Sequence, residues 1–289
     1  MEKVKAVAEK IRKLEIQGAA NVALEALKAV EGFAGRHPGE PIGGAVDLLV
    51  STRPTEPMMI NTLGYLKKLE ADAVPGKARG FIDAIARGTD RVVEIGANII
   101  EDGMTVQTIC HSSTVVKILL KARNDGKQVR VVNTETRPLY QGRKTAEELY
   151  KGGMHVAHYV DSAMMKAMKD DRVDLCLIGL DAIFMDGSVA NKIGSGLLAL
   201  AADSMNIPLY ACGHSLKLDR NSLFAKSVEI EQRDPREIWD YPVDVRNPAF
   251  ELVPAKHIKG IVTDLGILPP AVAGFEIMKE RADVFKKLG

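Results

Sequence analysis

Lysine and arginine never run together for longer than a pair, although 39 of the 289 residues are basic, and 38 acidic residues balance them to a formal net charge of +1. A chain with no basic block and no net field has little with which to track a phosphodiester backbone or sit on an anionic lipid surface, so neither nucleic acid nor a membrane is expected as a partner. No apolar run is long enough to span a bilayer. Residues 1–16 alternate Lys and Glu with apolar residues at helical spacing and lack the apolar core of a secretory signal, which predicts a cytoplasmic protein. Cysteine is scarce. Cys110, Cys176 and Cys212 lie far apart, match no zinc ribbon or finger spacing, and in an odd, sparse set argue for reduced thiols. No metal is expected, and neither an internal repeat nor a long linker is visible.

What the chain does have is a change of rhythm. The length allows one large or two ordinary domains. Residues 4–14, 19–33 and 81–95 carry apolar side chains every three or four positions and predict helices, with residues 37–44 and 75–77 as loops between helices. After Asp102-Gly103, short β-rich runs at 105–109, 129–133, 155–160, 173–178, 208–212 and 260–263 alternate with helical runs at 113–123, 145–151, 163–169 and 190–205. Such alternation predicts an α/β protein with helices wrapped around a parallel sheet. The boundary falls near the helix around Ile95 to Ile100, giving a helical N-terminal domain over 1–97 and a sheet domain over 98–289.

In a parallel sheet, ligands lie beyond the carboxyl ends of the strands. The run 173–178 leads through Gly179 to a carboxylate at the strand exit, Asp181, and through the turn Asp186-Gly187 to a helix expected to open near Ser188. Asn191 and Lys192 then fall in its first turn, where free amides and the positive end of the macrodipole favour an anion. Cys110 stands at the exit of the first sheet strand, ahead of a helix beginning Ser113-Thr114-Val115. It is either a thiol tuned by that dipole for proton transfer or a buried apolar residue. Cys176 and Cys212 read as structural, as does His111, a proton shuttle being the alternative. Arg53 either offers phosphate a rigid fork or, as favoured, is a surface residue paired with Glu56. Gln17-Gly18-Ala19-Ala20 marks either a backbone anion site or close helix packing. Glu135 and Arg137, at another strand exit, pair with each other or line the site. Asp161 is expected to cap the next helix, and Lys217 lies on the same rim, where its abundance favours a surface role.

The segments IEDGMTVQTICHSS, VNTETRPLYQG, IGLDAIFMDGSVANKIGS and TDLGILPP resemble the family that joins ribose-1,5-bisphosphate isomerase, methylthioribose-1-phosphate isomerase and the regulatory subunits of the initiation-factor-2B exchange factor. The match covers most of the chain, and VEIEQRDPREIW with VRNPAFELVP is most similar to the archaeal bisphosphate isomerases. The resemblance implies a Rossmann-like sheet domain behind the helical one, a homodimer or a hexamer of dimers, no cofactor, and a sugar phosphate as small-molecule partner. It implies Cys110 and Asp181 as the catalytic pair. Substrate contacts are implied at Gln17, Gly18, Ala19, Ala20, Arg53, Ser112, Ser113, Thr114, Asn191, Lys192 and Lys217.

Two positions depart from the family pattern. Gln17 stands where the isomerases usually have Arg, and Ser113 where the bisphosphate isomerases have Lys, so two cationic phosphate ligands become neutral. A charge-assisted hydrogen bond is worth roughly 1.5–3 kcal/mol, so the loss predicts weaker phosphate binding at one end of the substrate unless other residues compensate. Leu180, in place of a small residue, narrows the wall beside Asp181. Two classes of function follow: an aldose-ketose isomerase of a sugar 1-phosphate such as ribose 1,5-bisphosphate or a deoxy or thio relative, and a regulatory subunit that senses a nucleotide or sugar phosphate without converting it. Cys110 with Asp181 favours the first, Gln17 with Ser113 the second.

Overall fold

A computed structural model describes residues 1–220, 222 and 230–286 of the chain. Its first third is helical: α1 (Glu2–Arg12), α2 (Ala19–Arg36), α3 (Gly43–Val50), α4 (Pro57–Lys67) and α5 (Val74–Ile99). Their apolar stripes meet in one core, with Val4, Ala8 and Ile11 against Val22, Ala26 and Val30, and Met58, Met59, Leu63 and Leu66 completing it. Two expected loops are partly helix. Gly43 and Gly44 open α3, and Pro75 sits in the first turn of α5, where a missing N–H breaks no helical bond. α5 serves two cores: Val74, Ala78 and Ile85 belong to the helical one, Val92 and Ala97 to the sheet that follows.

The sheet is built from β1 (Thr105–Thr108), β2 (Arg130–Thr134), β3 (His155–Tyr159), β4 (Leu175–Gly179), β7 (Leu209–Cys212), β9 (Gly260–Thr263) and β10 (Gly266–Leu268), with α6 (Ser113–Asn124), α7 (Gln141–Lys151), α8 (Met164–Asp170), α9 (Ser195–Ser204), α10 (Pro270–Glu280) and α11 (Ala282–Phe285) around it. Its order is β10-β9-β7-β4-β1-β2-β3, parallel except for β10. Alternation along β4 feeds both faces: Leu175 and Leu177 pack with Val115, Ile118 and Leu119 of α6, while Cys176 and Ile178 pack with Ala167, Met168, Leu198 and Ala202 of α8 and α9. That is an α/β/α sandwich. The chain winds outward from β1 through β2 to β3 and then returns to the far side of β1 as β4. Between β1 and β4 the winding reverses, so their following loops separate and leave the crevice in which such sheets take ligands.

A second, antiparallel sheet grows from that crevice: β5 (Ala182–Ile183), β6 (Val189–Lys192) and β8 (Phe250–Val253), in the order β5-β6-β8. It corrects the expected helix from Ser188, since α9 begins only at Ser195. Asp186-Gly187 is a hairpin turn. Phe184 N–H donates to the Ser188 carbonyl at 2.9 Å, Asp186 Oδ1 accepts from Ser188 N–H at 2.9 Å, and Gly187 takes a left-handed φ of 80°. Asp-Gly between apolar residues is a strong hairpin signal, which the reading of a helix entry passed over. No helix among the described residues is long and apolar enough to cross a membrane.

Candidate active site

Cys110 lies just beyond β1 and is buried. Its φ of 61° puts a non-glycine residue in the left-handed region, which costs about 1–2 kcal/mol. Side-chain hydroxyls hold it there: Cys110 N–H donates to Thr136 Oγ1 at 2.9 Å, and Thr145 Oγ1 donates to the Cys110 carbonyl at 2.7 Å. Burial pushes the thiol up to about 11; Lys192 opposes the shift and Asp181 adds to it. Of the two readings left open for Cys110, burial governs the thiol's ionisation, because desolvation outweighs the neighbouring charges. At rest the group is a neutral thiol, suited to exchanging a proton and not to nucleophilic attack. Cys176 and Cys212 are buried thiols pushed up to about 12 by desolvation, and His111, its pKa lowered by burial, bonds Thr145 Oγ1 through Nδ1 at 3.1 Å.

Asp181 follows β4, the strand paired directly with β1, so Cys110 and Asp181 leave the sheet side by side. Its N–H donates to the Ala190 carbonyl at 2.8 Å, which ties the strand exit to β6. At Gly179 a Cβ would stand 2.7 Å from Ser112 Oγ and 3.8 Å from Asn191 Oδ1, so the absent side chain lets those two groups approach across the crevice. Asn191 is buried and its Nδ2 donates to Ser195 Oγ at 2.9 Å. Lys192 Nζ lies 4.6 Å from the centre of the Phe250 ring, and among the described residues no carboxylate forms an ion pair with it. The helix N-terminus expected behind these residues is already filled. Glu251, opposite Asn191 in the β6–β8 register, accepts from Gly194 N–H at 2.5 Å and Gly196 N–H at 3.0 Å of α9.

The helical region brings charge to the same place. Arg53 is buried, not a surface residue, and donates to Glu231 at 2.9 Å as well as facing Glu56 at 3.2 Å. Lys217, expected on the rim, is also buried; its Nζ donates to the Leu180 carbonyl at 2.5 Å, and burial lowers its pKa against the pull of Asp181 and Glu56. Leu180 is buried and packs over Gly213, where a Cβ would meet it at 2.7 Å. Burial raises Glu56 to about 7, with Arg53 opposing and Asp181 adding. Raised above its unfolded value of 4.5, this carboxyl stabilises the fold fully below pH 4.5, and that contribution is lost as pH climbs through about 7. The span corresponds to about 3 kcal/mol. Wild-type melting temperature is therefore expected to fall between pH 5 and 8, and Glu56→Gln to flatten that fall; an equally steep profile in the variant refutes the assignment.

Other candidates lie less centrally. Gln17 is exposed, and its Nε2 donates to the Leu14 carbonyl at 2.7 Å. Gly18 precedes α2 with φ 83° and open space where a Cβ would be, so its need is conformational and not close packing. Ala19 is buried and Ala20 partly buried in the same turn. Ser112 caps α6, its Oγ accepting from Val115 N–H at 3.4 Å; Ser113 is exposed and Thr114 half-buried behind it. Asp161 does not cap the helix after it, but accepts from Thr136 N–H at 2.8 Å and Arg137 N–H at 2.7 Å. Glu135 pairs with Arg143 at 3.6 Å, while Arg137 lines a cleft with Gln141, Lys192, Arg233 and Asn247. Thr136, Thr145, Gln141 and Glu231 were missed, since each is recruited by contacts distant in sequence, and Glu56 was read only as a partner of Arg53. Among the described residues no group of three or more His, Cys, Asp and Glu could hold a metal ion.

Fold and site together define a parallel-sheet protein with a helical N-terminal region and a thiol, a carboxylate and an ammonium gathered at its topological switch point. The chain belongs to the initiation factor 2 subunit family, whose model matches residues 15–270. It is 36% identical to the ribose 1,5-bisphosphate isomerase of Archaeoglobus fulgidus over 97% of this chain and 94% of that protein. To the methylthioribose-1-phosphate isomerase of Geobacter metallireducens it is 31% identical, over 91% of this chain and 86% of that protein. Among solved structures, the Pyrococcus horikoshii translation initiation factor eIF-2B superposes with a TM-score of 0.84 at 27% identity, covering 93% of this chain and 98% of that one. The 5-methylthioribose 1-phosphate isomerase of the same organism gives 0.81 at 26% identity, covering 96% and 88%. The fold is thus shared by enzymes and a translation factor, and the site must distinguish them.

Proposed function

We propose that this protein is an aldose-ketose isomerase acting on a sugar 1-phosphate, ribose 1,5-bisphosphate or a close relative, and yielding the corresponding ketose phosphate. The observation that carries this reading is the placement of Cys110 and Asp181 at the exits of adjacent parallel strands, with Lys192 acting electrostatically on the thiol. The C1 phosphate locks the sugar as a ring. Asp181 hands a proton to the ring oxygen as the C1–O bond breaks and recovers one from the C2 hydroxyl as the ketone forms. The hydrogen on C2 must reach C1: either Cys110, having first passed its thiol proton to Asp181, carries it as a proton through an enediol, or it shifts directly as hydride beside the thiol. In both, C2 is oxidised and C1 reduced within one molecule. Lys192 and Asn191 are assigned to phosphate, with Arg53 and Lys217 behind them. By the same reading, the protein is soluble and cytoplasmic and works as a homo-oligomer.

A second reading, a sensor that binds a nucleotide or sugar phosphate without converting it, draws support from the exposed Gln17 and Ser113 and from an Arg53 already paired with carboxylates. Incubation with ribose 1,5-bisphosphate, ribose 1-phosphate and 5-deoxy and 5-methylthio analogues, followed by carbon NMR for a new ketone resonance, separates the two. Ketose formation from any of them supports the isomerase. Saturable binding across the panel with no ketone supports the sensor.

A further inference from the structure

Beyond the pair assigned to the chemistry, we infer that Thr136 and Thr145 are positioning residues that clamp Cys110 from both sides of its backbone and so aim its thiol into the crevice. The inference rests on the isomerase reading for its kinetic consequences and on the hydrogen bonds for its geometry. Cys110 has its N–H on Thr136 Oγ1 and its carbonyl on Thr145 Oγ1, so both polar backbone groups of a left-handed residue are tied to side chains from other elements. Neither β1 nor α6 supplies those partners.

Each clamp residue is itself held. Thr136 is left-handed at φ 60°, and its N–H and that of Arg137 both donate to the Asp161 carboxylate. Its hydroxyl accepts from Cys110 and points its own hydrogen at the Thr134 carbonyl, 3.4 Å away. Thr145, buried on α7, has one hydroxyl hydrogen and gives it to the Cys110 carbonyl. The contact of 3.1 Å with His111 Nδ1 must therefore be a donation from the imidazole, which fixes the Nδ1–H tautomer and leaves Nε2 toward Glu148 at 3.9 Å. The His111 imidazole thereby reaches Cys110 through Thr145, while the His111 backbone N–H bonds the thiol directly. The chain of support runs from Asp161 and His111 inward to one residue.

A loosened thiol loses near-attack geometry without losing phosphate contacts, so the signature is in turnover and not in binding. Thr136→Val keeps the shape and removes the hydroxyl; Thr136→Ser keeps the hydroxyl. On the substrate found by the NMR panel, Thr136→Val is expected to lower kcat roughly 10- to 100-fold with KM within about twofold, and Thr136→Ser to recover most of the loss. Thr145→Val and Thr145→Ser repeat the comparison should Thr136→Val not fold. Equal losses in the Val and Ser variants, or a loss carried by KM, overturn the clamp. A second arm does not need turnover: the rate at which iodoacetamide modifies Cys110, located by peptide mapping. Several-fold altered reactivity in the Val variants but not the Ser variants, at unchanged melting temperature, supports the clamp, and an unchanged rate overturns it. Absence of turnover in the wild type, with this arm positive, removes the isomerase reading and leaves the clamp standing.

Discussion

Asp181→Asn is expected to lower turnover at least 1000-fold, and Cys110→Ser by a similar order, with both variants melting close to the wild type. General acid-base catalysis by one positioned group contributes roughly 10²- to 10⁴-fold, and in the proposed mechanism two groups divide the proton traffic between oxygen and carbon. Asn keeps the shape of Asp181 and, as its N–H already serves the Ala190 carbonyl through the backbone, leaves the hairpin anchored. Ser at position 110 keeps both backbone bonds to Thr136 and Thr145. Its hydroxyl, however, is a far weaker acid than a thiol and cannot return a proton at a useful rate. The measurement is ketose formed per enzyme with the substrate from the NMR panel. Residual turnover within tenfold of wild type in either variant removes that residue from the mechanism, and unchanged turnover in both sinks it.

Gly142→Ala is expected to be the most damaging of the small substitutions. A Cβ at this position in α7 would stand 1.7 Å from the backbone oxygen of Thr134 and 2.8 Å from its carbon, and backbone at a strand end cannot rotate away as a side chain can. The clash forces α7 off β2 and breaks the 2.7 Å bond from Asn133 Nδ2 to the Gly142 carbonyl. Overpacking of this kind costs about 3 kcal/mol or more. For a chain of this size that lowers the melting temperature by roughly 6–12 °C, read by calorimetry or circular dichroism. Because α7 carries Thr145 and β2 runs into Thr136, the variant is expected to lose activity before it melts. A melting temperature within 2 °C of the wild type would mean that α7 sits further from β2 than described.

Much of this architecture can be read from residue order alone, for a physical reason. Short β-rich runs alternating with helical ones mark parallel strands, and the residue after such a run lies at the carboxyl end of the sheet; that is how Cys110 and Asp181 fall beside each other although far apart in sequence. Lys192 and Asn191 were expected in a helix and lie in a strand, because Asp186-Gly187 serves a helix entry or a hairpin equally well until a partner strand, β8, arrives from about 60 residues later to decide it. Arg53 is the opposite case. Its neighbours suggest a surface loop, whereas in the fold it is buried and bonds Glu231, 178 positions away. The left-handed turns at Cys110 and Thr136 left no mark, since neither residue is glycine and only the hydrogen bonds of the folded chain make that conformation tolerable.

Glu251 has an implication for what the crevice can recognise. By occupying the first amides of α9 it removes the usual backbone receptor for tetrahedral anions, so a phosphate entering here meets one flexible ammonium and a carboxamide on a β-hairpin. In the proposed site, recognition of that kind follows the motion of the hairpin: whatever shifts β6 against β8 moves Asn191, Lys192 and the strand exit bearing Asp181 together.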